Sequence, residues 1–261
     1  DYWHLDVPDG VAVASRATHA HRAGITGRGI RIAMVDTGHE SHPFFTRHGF
    51  RVAPVVLGPG ATEPSRDTDG HGTSESANIF ALAPDAELVP VKASMVNTAA
   101  AFNVAVSLNP HIISLSWGGN LKPPATLEAP DFALAAAVSA AVQAGIVVVV
   151  SAGNGEFGFP GMHPDVISAG GVFMGPDGRL RASDYASGFN AGYVYPGRHV
   201  PDLCGLVGML PKAAYIMLPM PKGCRIDDVR AGGRHPHADE TTGHDGWAAI
   251  SGTSAAAPQL A

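Results

Sequence analysis

The segment 251–258 reads SGTSAAAP, and both the fold and the chemistry of the chain can be inferred outward from it. Small residues surround one hydroxyl, that of Ser254, as they must where a nucleophile needs space for a substrate backbone. The same sequence is also typical of a helix N-terminus without a catalytic role, because a serine or threonine caps the free amides and alanines propagate the helix. A serine nucleophile requires a general base and a group that orients this base, so the rest of the chain decides between the two interpretations.

Three upstream motifs supply such groups. An apolar run at 32–35 is followed by Asp36, and the segment DGHGT contains His71. The run VVVV at 147–150 is followed by SAGN, which ends in Asn154. Polar residues that follow buried parallel strands gather beyond the carboxyl edge of a sheet. We therefore expect Asp36 and Asn154 to lie at one edge, within reach of His71 and Ser254.

With SLSWGG at 114–119 as a fifth motif, the chain resembles the subtilisin-like serine proteases, the subtilase family. The carboxylate, the imidazole and the serine follow in the order of that family. The resemblance spans nearly the whole chain. It implies an α/β, subtilisin-like three-layer fold, in which a mainly parallel central sheet is covered by helices on both faces, and a single catalytic domain over residues 1–261.

The resemblance also implies a function, that of a serine endopeptidase, a hydrolase that cleaves peptide bonds through an acyl-enzyme on Ser254. His71 would act as base and then as acid, Asp36 would orient His71, and Asn154 would contribute to the oxyanion hole. The alternative is a catalytically silent subtilase fold that serves as a binding or scaffolding module.

The expected partner is a protein or peptide substrate in extended conformation, paired with two backbone segments that also line the specificity pocket. Trp117 is equally well interpreted as a wall of this pocket or as a core aromatic. The residues that the resemblance assigns to substrate binding are Ser116, Trp117, Gly118, Ser151, Ala152 and Gly153.

Composition excludes other classes of partner. The chain has 261 residues, and 17 Lys and Arg against 23 Asp and Glu give a net charge of −6, so no basic field attracts nucleic acid. No apolar run approaches the length that spans a bilayer, and we expect no membrane partner. The resemblance suggests a secreted protein, although a cytoplasmic location stays open.

Hydrophobic periodicity predicts alternating strands and helices, the pattern of a parallel sheet with helices on both faces. Between residues 180 and 246 only one strand is predicted. The predicted helices are 11–22, 72–81, 97–108 and 127–144, and the predicted strands are 30–35, 52–57, 87–92, 112–116, 146–150, 166–171 and 213–218.

The chain departs from the family after His71, where Ser74-Glu75-Ser76-Ala77 stands in place of the usual His-Val-Ala-Gly. Glu75 follows His71 by four residues, so on a helix the two side chains share a face. Our hypothesis is that Glu75 raises the pKa of His71.

In the family, the serine opens a long buried helix, whereas this sequence stops 261 − 254 = 7 residues after Ser254. We expect most of that helix to be missing, and the missing C-terminal segment or the protein's own propeptide is a candidate partner.

Cysteines and metal-ligating side chains carry weaker signals. Cys204 and Cys224 could form a disulfide or remain as free thiols. A polar cluster near the C-terminus has metal-ligand chemistry without a regular ligand spacing, so we expect no metal there, and no cofactor elsewhere. This cluster consists of His235, His237, Asp239, Glu240, His244 and Asp245.

Overall fold

The computed structural model describes residues 3–94, 96–121, 127–186, 188, 194–212, 214–232 and 241–261. The strands are β1 (Trp3–Asp6), β2 (Arg31–Asp36), β3 (Arg51–Val52), β4 (Val56–Leu57), β5 (Glu87–Lys92), β6 (Ile112–Leu115), β7 (Gly119–Asn120), β8 (Val147–Ser151), β9 (Gly158–Phe159), β10 (Ile167–Met174), β11 (Leu180–Ala182), β12 (Leu203–Leu206), β13 (Ala214–Pro219) and β14 (Trp247–Ile250). The helices are α1 (Asp9–Ala14), α2 (Ala17–Arg22), α3 (Pro43–His48), α4 (His71–Leu82), α5 (Thr98–Ser107), α6 (Ala129–Gln143), α7 (Arg225–Arg230) and α8 (Thr253–Leu260).

The central sheet has the strand order β11-β10-β8-β6-β2-β5-β3, with β12 beside β10 and β4 beside β5. All of its described pairings are parallel except the one between β10 and β11. The carboxyl ends of β2, β6 and β8 are adjacent, so the residues that follow these strands meet at one edge. The predicted strand-end site depends on this arrangement.

The two faces of the sheet are covered by different helices, because successive side chains of a strand point to opposite faces. On β2, Ala33 and Val35 pack into one cluster with α5 and α6. Ile32 and Met34 pack on the other face into a cluster with α1, α3 and α4. The predicted three-layer α/β fold is confirmed.

Several predicted elements differ from the structure in their bounds. The helix predicted over 11–22 is two helices, because Arg16 between them has a φ of 63°, outside the helical region. The strand predicted over 52–57 is split into β3 and β4 around Pro54, which has no N–H to donate to a ladder. Between residues 180 and 246 the structure also contains β11, β12 and α7, which the sequence analysis did not predict.

Both cysteines are free thiols, so of the two possibilities the structure contains no disulfide between Cys204 and Cys224. Cys204 is exposed on β12, whereas Cys224 is buried just before α7. Over the described part of the chain, every helix is too short or too polar to cross a membrane.

Replacing Phe102 with alanine should lower the free energy of unfolding by about 3–5 kcal/mol, because Phe102 is fully buried between α5 and the sheet. Phe132 on α6 is 60% exposed, so Phe132→Ala is the matched control and should change stability by less than about 0.5 kcal/mol. Denaturant unfolding measures both variants. Equal losses would contradict the assigned core.

Candidate active site

Asp36 and His71 form a hydrogen-bonded pair at the carboxyl edge of the sheet. His71 Nδ1 lies 2.7 Å from Asp36 Oδ1, which also accepts a hydrogen bond from the Thr37 amide at 2.7 Å. The Asp36 carboxylate is almost fully buried, and its Oδ2 has no hydrogen-bond partner among the described residues. A buried carboxylate on Nδ1 orients the imidazole and leaves Nε2 as the atom that faces other groups.

The position of His71 depends on Asp67, which the sequence analysis did not single out. Asp67 is fully buried and accepts hydrogen bonds from the Gly70 amide, the Thr37 hydroxyl, and the amide and hydroxyl of Thr73. It thereby supplies acceptors for the start of α4, where backbone amides lack helical partners. A carboxylate a few residues before a glycine-led helix start was the signal available in the sequence.

Gly72 permits a close approach of α4 to the turn that follows Asp36. A β-carbon at Gly72 would lie 2.2 Å from the carbonyl oxygen of Gly38. No larger residue fits there without moving the backbone, and moving it would separate His71 from Asp36.

Ser254 lies in the first turn of α8, in hydrogen-bond contact with Ser116 at the end of β6. The Ser254 hydroxyl donates to the Ser116 carbonyl at 3.1 Å, and the Ser116 hydroxyl donates to the Ser254 carbonyl at 3.0 Å. Among the described residues, no hydrogen bond joins Ser254 to His71. In this conformation the serine hydroxyl is therefore bonded to a backbone carbonyl and not to the imidazole.

Asn154 is anchored on the start of α8 by its side-chain oxygen. Asn154 Oδ1 accepts a hydrogen bond of 2.8 Å from the Thr253 amide. A backbone amide can only donate, so the oxygen must face Thr253 and the Nδ2 group is left to donate elsewhere. The neighbouring Gly153 and Thr253 are also joined, since the Thr253 hydroxyl donates to the Gly153 carbonyl at 3.0 Å.

Two cavities flank these side chains. One, of about 280 Å³, is lined by Ser254, Asn154 and Glu156 together with Ser116, Trp117, Gly118, Ser151 and Gly153. The other, of about 460 Å³, contains Asp36 and His71 and shares Ser116, Trp117 and Gly118 with the first. Together they form a cleft along both sides of the segment 116–119.

Among the residues expected to bind substrate, Ala152 and Trp117 have contacts with the protein interior. Ala152 is buried and does not line either cavity; its amide donates to the Ala169 carbonyl at 2.9 Å. Trp117 lines both cavities and also packs against the core cluster that contains Ala33 and Val35 of β2. Its indole N–H donates to the Val35 carbonyl at 2.9 Å.

Acidic groups surround the His71 imidazole. Burial by itself lowers its pKa, but the charge and hydrogen bond of Asp36, with the charges of Glu75 and Asp69, outweigh burial and raise the pKa to about 10. Because the ordinary value is 6.5, His71 stabilises the fold fully below that pH, and this contribution is lost as the pH rises through about 10.

The polar cluster near the C-terminus is only partly described. His235, His237, Asp239 and Glu240 lie outside the described residues. Asp245 accepts hydrogen bonds from the amides of Thr242 and Trp247. Over the described ranges, no three His, Cys, Asp or Glu side chains lie close enough together to hold a metal ion.

The family model described as "Subtilase family" matches residues 27–261. This chain belongs to the subtilase family of serine proteases. The subtilisin Savinase of Lederbergia lenta is 31% identical over 234 residues, which cover 80% of this chain and 81% of that protein. An alkaline protease of Alkalihalobacillus alcalophilus is also 31% identical over 234 residues, but there the match spans only 58% of the relative's length.

Two solved structures share this fold. MycP1, solved with its N-terminal propeptide removed, matches with a TM-score of 0.66 at 20% identity, over 96% of this chain and 80% of that chain. Fervidolysin from Fervidobacterium pennivorans, a keratinolytic enzyme related to subtilisin, matches with a TM-score of 0.62 at 20% identity, over 90% of this chain and 35% of that one.

Replacing Asp67 with asparagine should lower the free energy of unfolding by about 1–3 kcal/mol, because one carboxylate oxygen becomes a donor that faces other donors. Asp177→Asn is the control, since Asp177 is half-exposed and paired with Arg181 at the surface, where ion pairs contribute about 0–1 kcal/mol. Denaturant unfolding compares the two. A loss at Asp67 no larger than that at Asp177 would contradict the positioning role.

Proposed function

We propose that this chain is the catalytic domain of a serine endopeptidase that hydrolyses peptide bonds in proteins or peptides through an acyl-enzyme on Ser254. The observation that carries the proposal is the 2.7 Å pair between His71 and buried Asp36, which shares one cleft with Ser254 and Asn154. Membership of the subtilase family supports the same chemistry.

In the first step, Ser254 Oγ attacks the carbonyl carbon of the scissile bond and His71 Nε2 takes the hydroxyl proton. The hydroxyl must first rotate away from the Ser116 carbonyl that it contacts in the structure. Asp36 keeps the Nδ1 proton in place and stabilises the imidazolium that forms. His71 then gives the proton to the leaving amine, and the acyl-enzyme remains. In the second half of the reaction His71 takes a proton from water, the hydroxide attacks the acyl carbon, and the proton returns to Ser254 as the product leaves.

The negative charge on the carbonyl oxygen would be stabilised by two donors, the Ser254 amide and Asn154 Nδ2. The Ser254 amide lies in the first turn of α8, where amides have no helical acceptor. Asn154 is held by its oxygen on Thr253, so its nitrogen is pre-oriented. Donors that are fixed before the reaction need no reorganisation as charge develops.

The substrate would bind as an extended strand along the cleft, with Ser116–Gly118 on one side and Ser151–Gly153 on the other. Main-chain hydrogen bonds give affinity for many sequences, and the cavities select side chains. An N-terminal propeptide is a further candidate occupant, in line with the MycP1 structure from which one was removed.

A serine-directed fluorophosphonate should add one adduct to the wild-type chain and none to Ser254→Ala, as measured by intact mass. Asn154→Ala should retain the adduct but lose about 10²–10³ in kcat, the loss that removing one oxyanion-hole donor causes in subtilisin. No adduct on a folded wild-type chain would instead favour the silent binding module.

Glu156 should favour a Lys or Arg side chain on the amino side of the scissile bond. Among the described residues that line the cavity beside Ser254, it is the one ionisable side chain. Glu156→Gln should reduce kcat/KM for a Lys substrate relative to a Leu substrate about fivefold, equivalent to about 1 kcal/mol for a partly hydrated ion pair.

Glu87→Gln is the matched control for charge, because Glu87 begins β5 at the edge of the sheet opposite the cleft. The ratio of kcat/KM for the two substrates should not change in this variant. An equal change in both variants, or none in Glu156→Gln, would contradict the assigned preference.

A further inference from the structure

Glu75 is a fully buried carboxyl group beside the His71 imidazole. Its side chain has 0% exposure, and its Oε1 lies 4.0 Å from His71 Nε2, one helical turn earlier on α4. That distance is too long for a hydrogen bond, and Oε1 has no hydrogen-bond partner among the described residues. A buried, unpaired carboxylate oxygen is costly, so its position against the catalytic imidazole requires an explanation.

The other oxygen of Glu75 ends a chain of buried side-chain amides. Glu75 Oε2 accepts from Asn78 Nδ2 at 2.8 Å, and Asn78 Oδ1 accepts from Gln259 Nε2 at 3.0 Å. Gln259, on α8, pairs with both backbone groups of Leu206 at 2.8 Å. The chain thus connects β12, the helix that carries Ser254 and the helix that carries His71.

The direction of these side-chain hydrogen bonds is fixed at the end where Gln259 meets the backbone of Leu206. The Leu206 amide can only donate, so Gln259 must present its oxygen there and its nitrogen to Asn78. Asn78 must then present its nitrogen to Glu75, so Oε2 is an acceptor in every protonation state. Oε2 is already engaged as an acceptor, so Oε1, which faces His71 Nε2 and has no hydrogen-bond partner among the described residues, is the favoured site for a proton on Glu75.

The charges that reach this pair come from several elements. Asp36 of β2 lies on the far side of the imidazole, and Asp69 precedes α4. His39, in the loop after β2, contacts Ser76, but burial lowers its pKa to about 4, so it is neutral at neutral pH. The packed helix α8 has no ionisable side chain. Asp69 is itself paired with Arg225 of α7, whose Nε lies 2.7 Å from the Asp69 carboxylate, and both residues line the cavity that contains His71.

Burial raises the pKa of Glu75 to about 7, although the charge of His71 and the hydrogen bond from Asn78 oppose this shift. The charge of each residue thus contributes to the pKa shift of the other, so we expect the two titrations to be linked.

We propose that Glu75 is a second carboxylate partner of the catalytic imidazole, a positioning residue that holds the Nε2 edge of His71 in the resting enzyme in competition with Ser254. The inference rests on the proposed role of His71 as the base. It accounts for two observations together, namely the unpaired Oε1 and the Ser254 hydroxyl that is bonded to Ser116 and not to His71. While His71 is held as imidazolium by the neighbouring Glu75 carboxylate, its Nε2 carries a proton and cannot accept the proton of Ser254.

The direction of the effect on activity follows from the charge. An ionised Glu75 favours imidazolium, so the neutral base appears only at higher pH. In Glu75→Gln the new amide oxygen can still accept from Asn78, while the negative charge beside Nε2 is lost. The acid limb of kcat/KM should shift down by about one to three pH units, the size of effect that a charge within about 4–6 Å produces.

The test measures kcat/KM and the rate of fluorophosphonate labelling of Ser254 across the neutral to alkaline range, in the wild type, Glu75→Gln and the charge control Glu87→Gln. We expect a lower midpoint in Glu75→Gln alone. A folded Glu75→Gln protein with the wild-type midpoint would overturn the proposal, even if its free energy of unfolding changed, because a purely structural role affects stability and not the midpoint.

A second measurement uses the unmodified chain and does not depend on how the variant folds. NMR titration follows the imidazole nitrogens of His71 and the carboxyl carbon of Glu75. A coupled pair shows the same two steps at both residues, whereas two independent single steps would overturn the proposal. Absence of labelling at every pH would refute the proposed function, while shared titration steps would still establish the contact between His71 and Glu75.

Discussion

The close approach of α4 to the turn after β2 is the constraint on which the site depends. Gly72 lies so near the Gly38 carbonyl that no side chain fits between them, and Asp67 joins the two segments by four hydrogen bonds. Since His71 is the first residue of α4 and Asp36 the last of β2, this packing fixes the distance between imidazole and carboxylate. The geometry of the pair formed by His71 and Asp36 is therefore set by backbone packing before it is set by side-chain chemistry.

The same packing concentrates negative charge around one imidazole. Asp36 and Glu75 approach His71 from opposite edges, and α8, which covers this region, adds no charge of its own. Such an arrangement favours the imidazolium. In the proposed reaction the imidazolium forms only after the neutral imidazole has taken a proton, so the protonated form cannot start the reaction. The proposed competition between Glu75 and Ser254 follows from this conflict between the resting and reacting states.

Much of the proposed site could be inferred from the sequence, because its residues lie in local patterns. Asp36 ends a buried apolar run, His71 stands between glycines at a helix start, and Ser254 precedes alanines. Asp67 was not predictable in its role, because its four donors come from segments on both sides of it. Hydrophobic periodicity also did not predict the helix break at Arg16 or the division of the strand at Pro54. Each of them depends on the backbone of a single residue, which the spacing of apolar residues does not report.

The sequence by itself determined the alternation of strands and helices, the polar residues that end the strands and the family to which these motifs belong, because each is encoded within short segments. It also placed Glu75 on the same helix face as His71, through the period of the helix. Only the tertiary structure decided that the Glu75 oxygen facing the imidazole has no hydrogen-bond partner among the described residues, that Ser254 is bonded to Ser116 and that both cysteines are free thiols. These facts join residues distant in sequence, whose separation is fixed by the packing of helices on the sheet.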